Sequence, residues 1–188
     1  MNLLGNKPLF AIALFAGVAI ALAEPVYQRV TEPAPATLNK LIDGIYVSEQ
    51  VTPAQIAALR RKGIAKIIDL RPDGEVAGQP GAEQMRAAAN AQRIMFDYVP
   101  VSHGPIPGAS VAALEKVLAE DYGPVLLYCR SGRRAARTWG LVEASRPGGQ
   151  GADAIIAAVK ASGQSADDLR DEIVRRVAAR PANRGAKT

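Results

Sequence analysis

The sequence predicts an α/β domain with a mainly parallel central sheet flanked by helices and extra helices at its C-terminal end. Three observations predict it. Short apolar runs alternate with helical patterns from about residue 38 onward, the signature of βαβ units. The run Val125-Leu126-Leu127-Tyr128 is apolar on both parities, as a strand buried on both faces must be. Glycine and proline punctuate the chain between these segments, as at Gly63, Pro80-Gly81 and Gly123-Pro124.

The elements follow in order. Leu41 to Val47 reads as a strand or hairpin turning at Asp43-Gly44. Thr52-Pro53-Ala54-Gln55 opens a helix: Thr52 can cap, Pro53 takes the first helical position, and Gln55 completes a capping box. Gly63 ends that helix. Ile64 to Leu70 is a predicted strand, Ala82 to Gln92 a helix and Ile94 to Val101 a strand. Ser110 is the expected cap of a helix running to about Tyr122. After the strand at 125–128, helices are predicted for Arg133 to Ser145, Ala152 to Ala161 and Asp167 to Ala179.

The chain has 188 residues, enough for one domain with a real core plus a leader. Residues 1–23 have the form of a signal peptide: Lys7, an uncharged run to Ala23, and Ala21-Leu22-Ala23 as a cleavage site. The apolar run is short for a bilayer span. The expectation is export to the periplasm, or anchoring to the inner membrane by residues 8–23. Residues 24–37 carry Pro25, Pro33 and Pro35 and read as a tether. The domain is assigned to 38–180 and a tail to 181–188.

The net charge is +5, but the basic residues fall in separate clusters rather than one long block and aromatics are not interleaved with them, which argues against nucleic acid. One cysteine and one histidine leave no cysteine/histidine metal site and no internal disulfide. No cofactor is expected.

Chemistry concentrates at Cys129-Arg130-Ser131-Gly132-Arg133-Arg134. A strand delivers Cys129 to the carboxyl edge of the sheet, where α/β ligand sites form. Gly132 permits a turn in which backbone N–H groups converge, and the following helix adds its N-terminal dipole. Arg130, Arg133 and Arg134 add positive charge. Such surroundings favour thiolate over thiol, and a thiolate inside a nest of donors is a nucleophile for an anionic electrophile.

These residues, preceded by Gly123-Pro124-Val125-Leu126-Leu127-Tyr128, resemble the active loop of the phosphatase-like domain of the beta-lactamase-hydrolase-like family. Asp69-Leu70-Arg71-Pro72-Asp73-Gly74-Glu75 and Gly78-Gln79-Pro80 resemble its arginine-proline-aspartate loop. Tyr98-Val99-Pro100-Val101 and Gly44 to Gln50 with Thr52-Pro53 fit as well. The resemblance covers about residues 38 to 165. It implies a protein-tyrosine/dual-specificity-phosphatase-like fold and either phosphatase or sulfurtransferase activity.

Loop spacing bears on the choice. Cysteine phosphatases of this fold carry Cys-(X)5-Arg, whereas Cys129 and Arg134 make Cys-(X)4-Arg, similar to the rhodanese loop. The loop after Val101 holds Ser102 and His103 but no aspartate to act as general acid. The first expectation is therefore sulfur transfer, from thiosulfate or a persulfide to a thiol acceptor, through a Cys129 persulfide. Cys129 and Arg134 would be catalytic, with Arg130, Ser131, Gly132 and Arg133 binding the anion. Arg71, Asp73 and His103 are possible contributors from other loops. The alternatives are a phosphatase working through a Cys129 cysteinyl-phosphate and a non-catalytic anion-binding module. Partners are accordingly a small anionic sulfur or phosphate substrate or a protein thiol, with a membrane tether if the leader is uncut.

Overall fold

A computed structural model describes residues 34–120 and 122–181. The predicted signal peptide, residues 24–33 of the tether and residues 182–188 of the tail lie outside the described residues. Among the described residues, no helix is long and apolar enough to cross a membrane.

Among the described residues the sheet has five strands: β1 (Asn39–Ile42), β2 (Ile45–Ser48), β3 (Lys66–Asp69), β4 (Met95–Tyr98) and β5 (Val125–Tyr128). Their order is β1-β2-β5-β3-β4. Only β1–β2 is antiparallel; β5 lies centrally between β2 and β3, parallel to both. The helices are α1 (Ile56–Arg61), α2 (Ala82–Ala91), α3 (Gly108–Leu118), α4 (Arg133–Ser145), α5 (Ala152–Ala161) and α6 (Arg170–Ala178). Short 3-10 turns, Pro53–Gln55 and Asp167–Leu169, lead into α1 and α6. This is the α/β architecture of the protein-tyrosine and dual-specificity phosphatases, with extra C-terminal helices.

Period-two alternation along β5 divides the core. Leu126 and Tyr128 face one layer with Ile56, Leu59, Ile67 and Met85; Leu127 and Cys129 face the other with Leu114, Trp139, Ile155 and Ile173. All four residues of β3 and of β5 are buried, which requires helices on both faces of the sheet. At the end of β3 remote from Cys129, the buried Lys66 Nζ donates to Val117 O (2.8 Å) and pairs with Glu120 and Asp97 (3.0 Å each). A cation buried this fully is tolerable only when its protons are so engaged.

The predicted hairpin, capping box and helix at 133–145 are present; Thr52 N–H donates to Gln55 Oε1 at 2.9 Å. The helix expected to be capped by Ser110 spans Gly108–Leu118, with Pro107, three residues earlier, as its N-cap. Ser110 Oγ instead donates to Pro100 O (3.3 Å), tying α3 back to the end of β4. A proline needs no N–H partner, so it can open the helix where the serine was expected to.

Candidate active site

Parallel strands discharge their loops at one edge, and three of them meet here. β5 ends in Cys129, β3 runs into the loop of Arg71 and Glu75, and β4 continues to Val101, Ser102 and His103. Between them lies a cleft of about 820 Å³, whose lining includes His103, Cys129, Ser131, Arg133 and Arg134. Cys129 lies in its floor with 1% exposure.

The loop 129–133 is fixed from outside. Gly132 takes φ +83° immediately before α4, a left-handed conformation that L side chains rarely adopt. A Cβ there would also sit 3.2 Å from Ser48 O and 3.1 Å from Gln164 Nε2. Arg130 O accepts the Gln50 N–H (3.3 Å), and Ser131 O accepts Gln164 Nε2–H (3.1 Å). In a trans peptide the N–H points opposite to the carbonyl. Anchoring these two carbonyls outward therefore turns the Ser131 and Gly132 N–H groups the other way.

Arg134 is held by a network that reaches β3. Its Nη1 and Nη2 donate to Glu75 Oε1 (2.6 Å) and Oε2 (3.1 Å), and Nη1 donates also to Val101 O. Arg71, buried, donates from Nε to Glu75 Oε2 (2.9 Å) and from Nη1 to Gln50 Oε1 (2.7 Å). His103 Nε2 lies 3.4 Å from Glu75 Oε1. Glu75 is thus shared by two guanidinium groups and faced by an imidazole. Its carboxyl is pushed down to about 2, chiefly by the Arg134 hydrogen bonds, against burial and with the help of Arg71. Burial works against the Arg134 charge, but Glu75 and the adjacent Cys129 sulfur outweigh it and raise its pKa.

Behind the loop, Asp69 Oδ1 accepts the Arg71 N–H at 2.8 Å. Burial pushes the Asp69 carboxyl up to about 6, against the lowering influence of the Tyr128 hydroxyl and that N–H. Tyr128 is raised in turn, first by burial and then by Asp69.

Of the residues singled out from sequence, Cys129, Arg130, Ser131, Arg133, Arg134 and His103 line the cleft together. Gly132 shapes the loop from behind. Arg71 stands behind Glu75 and acts on Arg134 through it. Asp73 goes elsewhere: its carboxylate accepts the Ala82 N–H (2.9 Å) at the start of α2, and its own N–H donates to Tyr98 Oη (2.9 Å). For Arg71, Asp73 and Glu75 the sequence left open a structural arginine–carboxylate pair or a substrate-facing role; the pair that forms is Arg71 with Glu75. Four residues after Arg71 in a non-helical loop, Glu75 carries no periodic signal of their pairing. Among the described residues, no group of three or more His, Cys, Asp or Glu is arranged to hold a metal ion.

Comparison with known proteins agrees with this geometry. A candidate phosphatase from Neisseria meningitidis Z2491 superposes with a TM-score of 0.64 at 30% identity, covering 73% of this chain and 96% of its own. The catalytic core of the yeast PP-IP phosphatase Siw14 (TM-score 0.54, 19% identity, 77% and 87% coverage) shares the fold. So does kinase-associated phosphatase (0.60, 13%, 80% and 100%). Among curated proteins, the beta-lactamase hydrolase-like protein of Agrobacterium fabrum is 35% identical over 105 residues, 56% of this chain and 24% of that protein. The Xylella fastidiosa Temecula1 protein is 36% identical over 97 residues, 52% and 22%. The matched part thus spans under a quarter of these relatives.

Sulfur transfer, expected from the loop count, is overturned by these findings: the fold and its structural relatives are those of phosphatases. The physical error lay in reading residue count as loop geometry. The left-handed turn at Gly132 and the Glu75 anchor bring Arg134 against Cys129 despite the shorter spacing. The chain carries a single-cysteine, phosphatase-type catalytic fold. Its residues 37–146 match the phosphatase-like domain of beta-lactamase hydrolase-like protein, and the chain belongs to that family.

Proposed function

We propose that the protein is a phosphatase that hydrolyses phosphomonoesters through a Cys129 cysteinyl-phosphate. One observation carries the reading: Cys129 lies in the cleft floor beside an Arg134 that Glu75 holds in a two-point grip. A phosphoryl group seated on the loop would meet the Ser131 and Gly132 N–H groups, the α4 N-terminus and the Arg134 guanidinium.

The step balances simply. The Cys129 thiolate forms an S–P bond as the ester P–O bond breaks, and the leaving oxygen takes a proton. Water then attacks phosphorus, the S–P bond breaks, and inorganic phosphate and the thiolate are regenerated. His103 is the candidate proton donor, because it lines the cleft and faces Glu75. Charge developing on the phosphoryl oxygens is met by donors fixed in advance, which is where most of the rate enhancement of such sites arises.

Turnover of an aryl phosphate tests the proposal. The expected result is vanadate-sensitive hydrolysis that Cys129→Ser abolishes, with a phosphorylated wild-type protein trapped on rapid acid quench. Hydrolysis that persists in Cys129→Ser would overturn it. Export of the enzyme rests on the 1–23 segment alone; finding the mature N-terminus at Glu24 in a periplasmic fraction would support it.

A further inference from the structure

The matched family segment ends at residue 146, yet the chain beyond it returns to the cleft. Helices α5 and α6 dock on α4 through Ile155, Val159 and Ile173, all fully buried. The guanidinium of Arg180 donates to the carbonyls of Glu143, Ala144, Gly149 and Gln150, fixing the end of this extension to the turn after α4. The link between α5 and α6 is held against the catalytic loop, where Gln164 donates to Ser131 O. Four residues on, Asp168 accepts both ends of the Arg137 fork, from Nη1 to Oδ1 at 2.7 Å and from Nη2 to Oδ2 at 2.6 Å.

Arg137, Asp168 and Leu169 line the same cleft as Cys129. Arg137 lies one helical turn beyond Arg133, so the two share a face of α4. The cleft's cations then fall into two groups. Arg134 is tied by Glu75 and Arg137 by Asp168, whereas Arg130 and Arg133 make no ion pair among the described residues. Arg137 would otherwise offer a phosphoryl group a bidentate grip, but both of its terminal nitrogens are already engaged. Asp168 also sets a carboxylate in the cleft wall, repelling any anion on that side.

We propose that the C-terminal extension is a wall of the active site and that Asp168 is its specificity-determining residue, withholding Arg137 so that the cleft takes one anionic group at Cys129 and disfavours a second on the Arg137 side. The preferred substrates are then phosphomonoesters whose remainder carries no charge there and can rest against Ile106 and Leu169. The proposal rests on the phosphatase reading only for the identity of the group bound at Cys129.

The test separates the two. Full-length Cys129→Ser protein, which turns nothing over, is titrated calorimetrically with inorganic phosphate and with inorganic pyrophosphate. The same is done after adding Asp168→Ala, Asp168→Asn, or Asp168→Ala with Arg137→Ala. Asp168→Ala should tighten pyrophosphate relative to phosphate by about tenfold, the scale of one added charge-assisted contact. Asp168→Asn, which keeps the size of the side chain, should give a smaller gain in the same direction, and removing Arg137 should abolish it. Equal changes for the two anions, a gain that survives loss of Arg137, or failure of both anions to bind would overturn the proposal. If the selectivity shifts as expected while the wild-type protein does not hydrolyse aryl phosphate, the wall stands and the phosphatase reading fails.

Discussion

Two arginine–carboxylate pairs flank the cleft, and the same chemistry serves them differently. Arg134–Glu75 is sheltered on both sides, with 11% and 13% of the side chains exposed. Arg137–Asp168 is lopsided, with 13% and 58% exposed. The first joins the start of α4 to the loop after β3, and its carboxylate is shared with a second buried arginine, Arg71. The second joins α4 to a segment beyond the family domain. Burial decides what each pair can do. Removing one partner from a buried pair strands the other charge, whereas solvent answers an exposed one.

The most damaging way to probe this contrast is Glu75→Ala. It leaves Arg71 and Arg134 without their shared anion, at an expected cost of about 3–5 kcal/mol by denaturant unfolding. Whatever aryl phosphate turnover the wild type shows should fall steeply, since Arg134 loses its anchor. A loss under about 1 kcal/mol would mean that the network does not hold the site.

Gly132→Ala should come next, at about 1–3 kcal/mol for a left-handed alanine. The added methyl would also press on Ser48 O, 3.2 Å away. Vanadate affinity should fall along with stability, because the two peptides flanking Gly132 carry the Gly132 and Arg133 N–H groups of the loop. At the lower end, Asp168→Ala should cost no more than about 1 kcal/mol, as a half-exposed pair does. A larger loss would show that the pair holds the extension in place.

Acid titration sharpens the comparison. Glu75 is depressed from 4.5 to about 2, so its contribution is fully present above 4.5 and is lost as pH falls toward 2. Glu75→Gln should therefore flatten the acid limb of the stability profile in that window. Asp69 has the opposite sign. Raised from 3.8 to about 6, it holds its proton more tightly in the folded state. Its ionisation costs stability that is lost progressively as pH rises through that interval. Asp69→Asn should flatten the profile there, a difference that urea unfolding at several pH values would resolve.

The strands show why much of the architecture was legible. β5 was read to its residue limits, because four apolar residues between Gly123-Pro124 and a polar loop admit few other readings. α4 followed from the glycine before it and its amphipathic run. Ser110 shows the limit: a serine three residues after a proline can cap a helix or tie it to a neighbouring strand. Only the position of Pro100 O, fixed by β4, selects the second role. Asp73 is similar, since Arg-Pro-Asp-Gly is good turn chemistry wherever the loop points, and packing sent its carboxylate to α2.

The sequence by itself determined the strand–loop–helix unit around Cys129, because its determinants are local: a buried strand, a glycine able to turn left-handed, and a helix start. It also placed the arginines beside the cysteine. Tertiary structure decided which of them are free. Glu75 lies 59 residues from Arg134, and Asp168 lies 31 residues from Arg137. No periodicity spans such separations, so the partners become visible only when the parallel strands bring their loops to one edge and the extension folds back over it. Residue counting therefore misjudged the chemistry of the loop. The reach of Arg134 to Cys129 depends on a backbone turn and a distant carboxylate, and neither is written in the spacing between them.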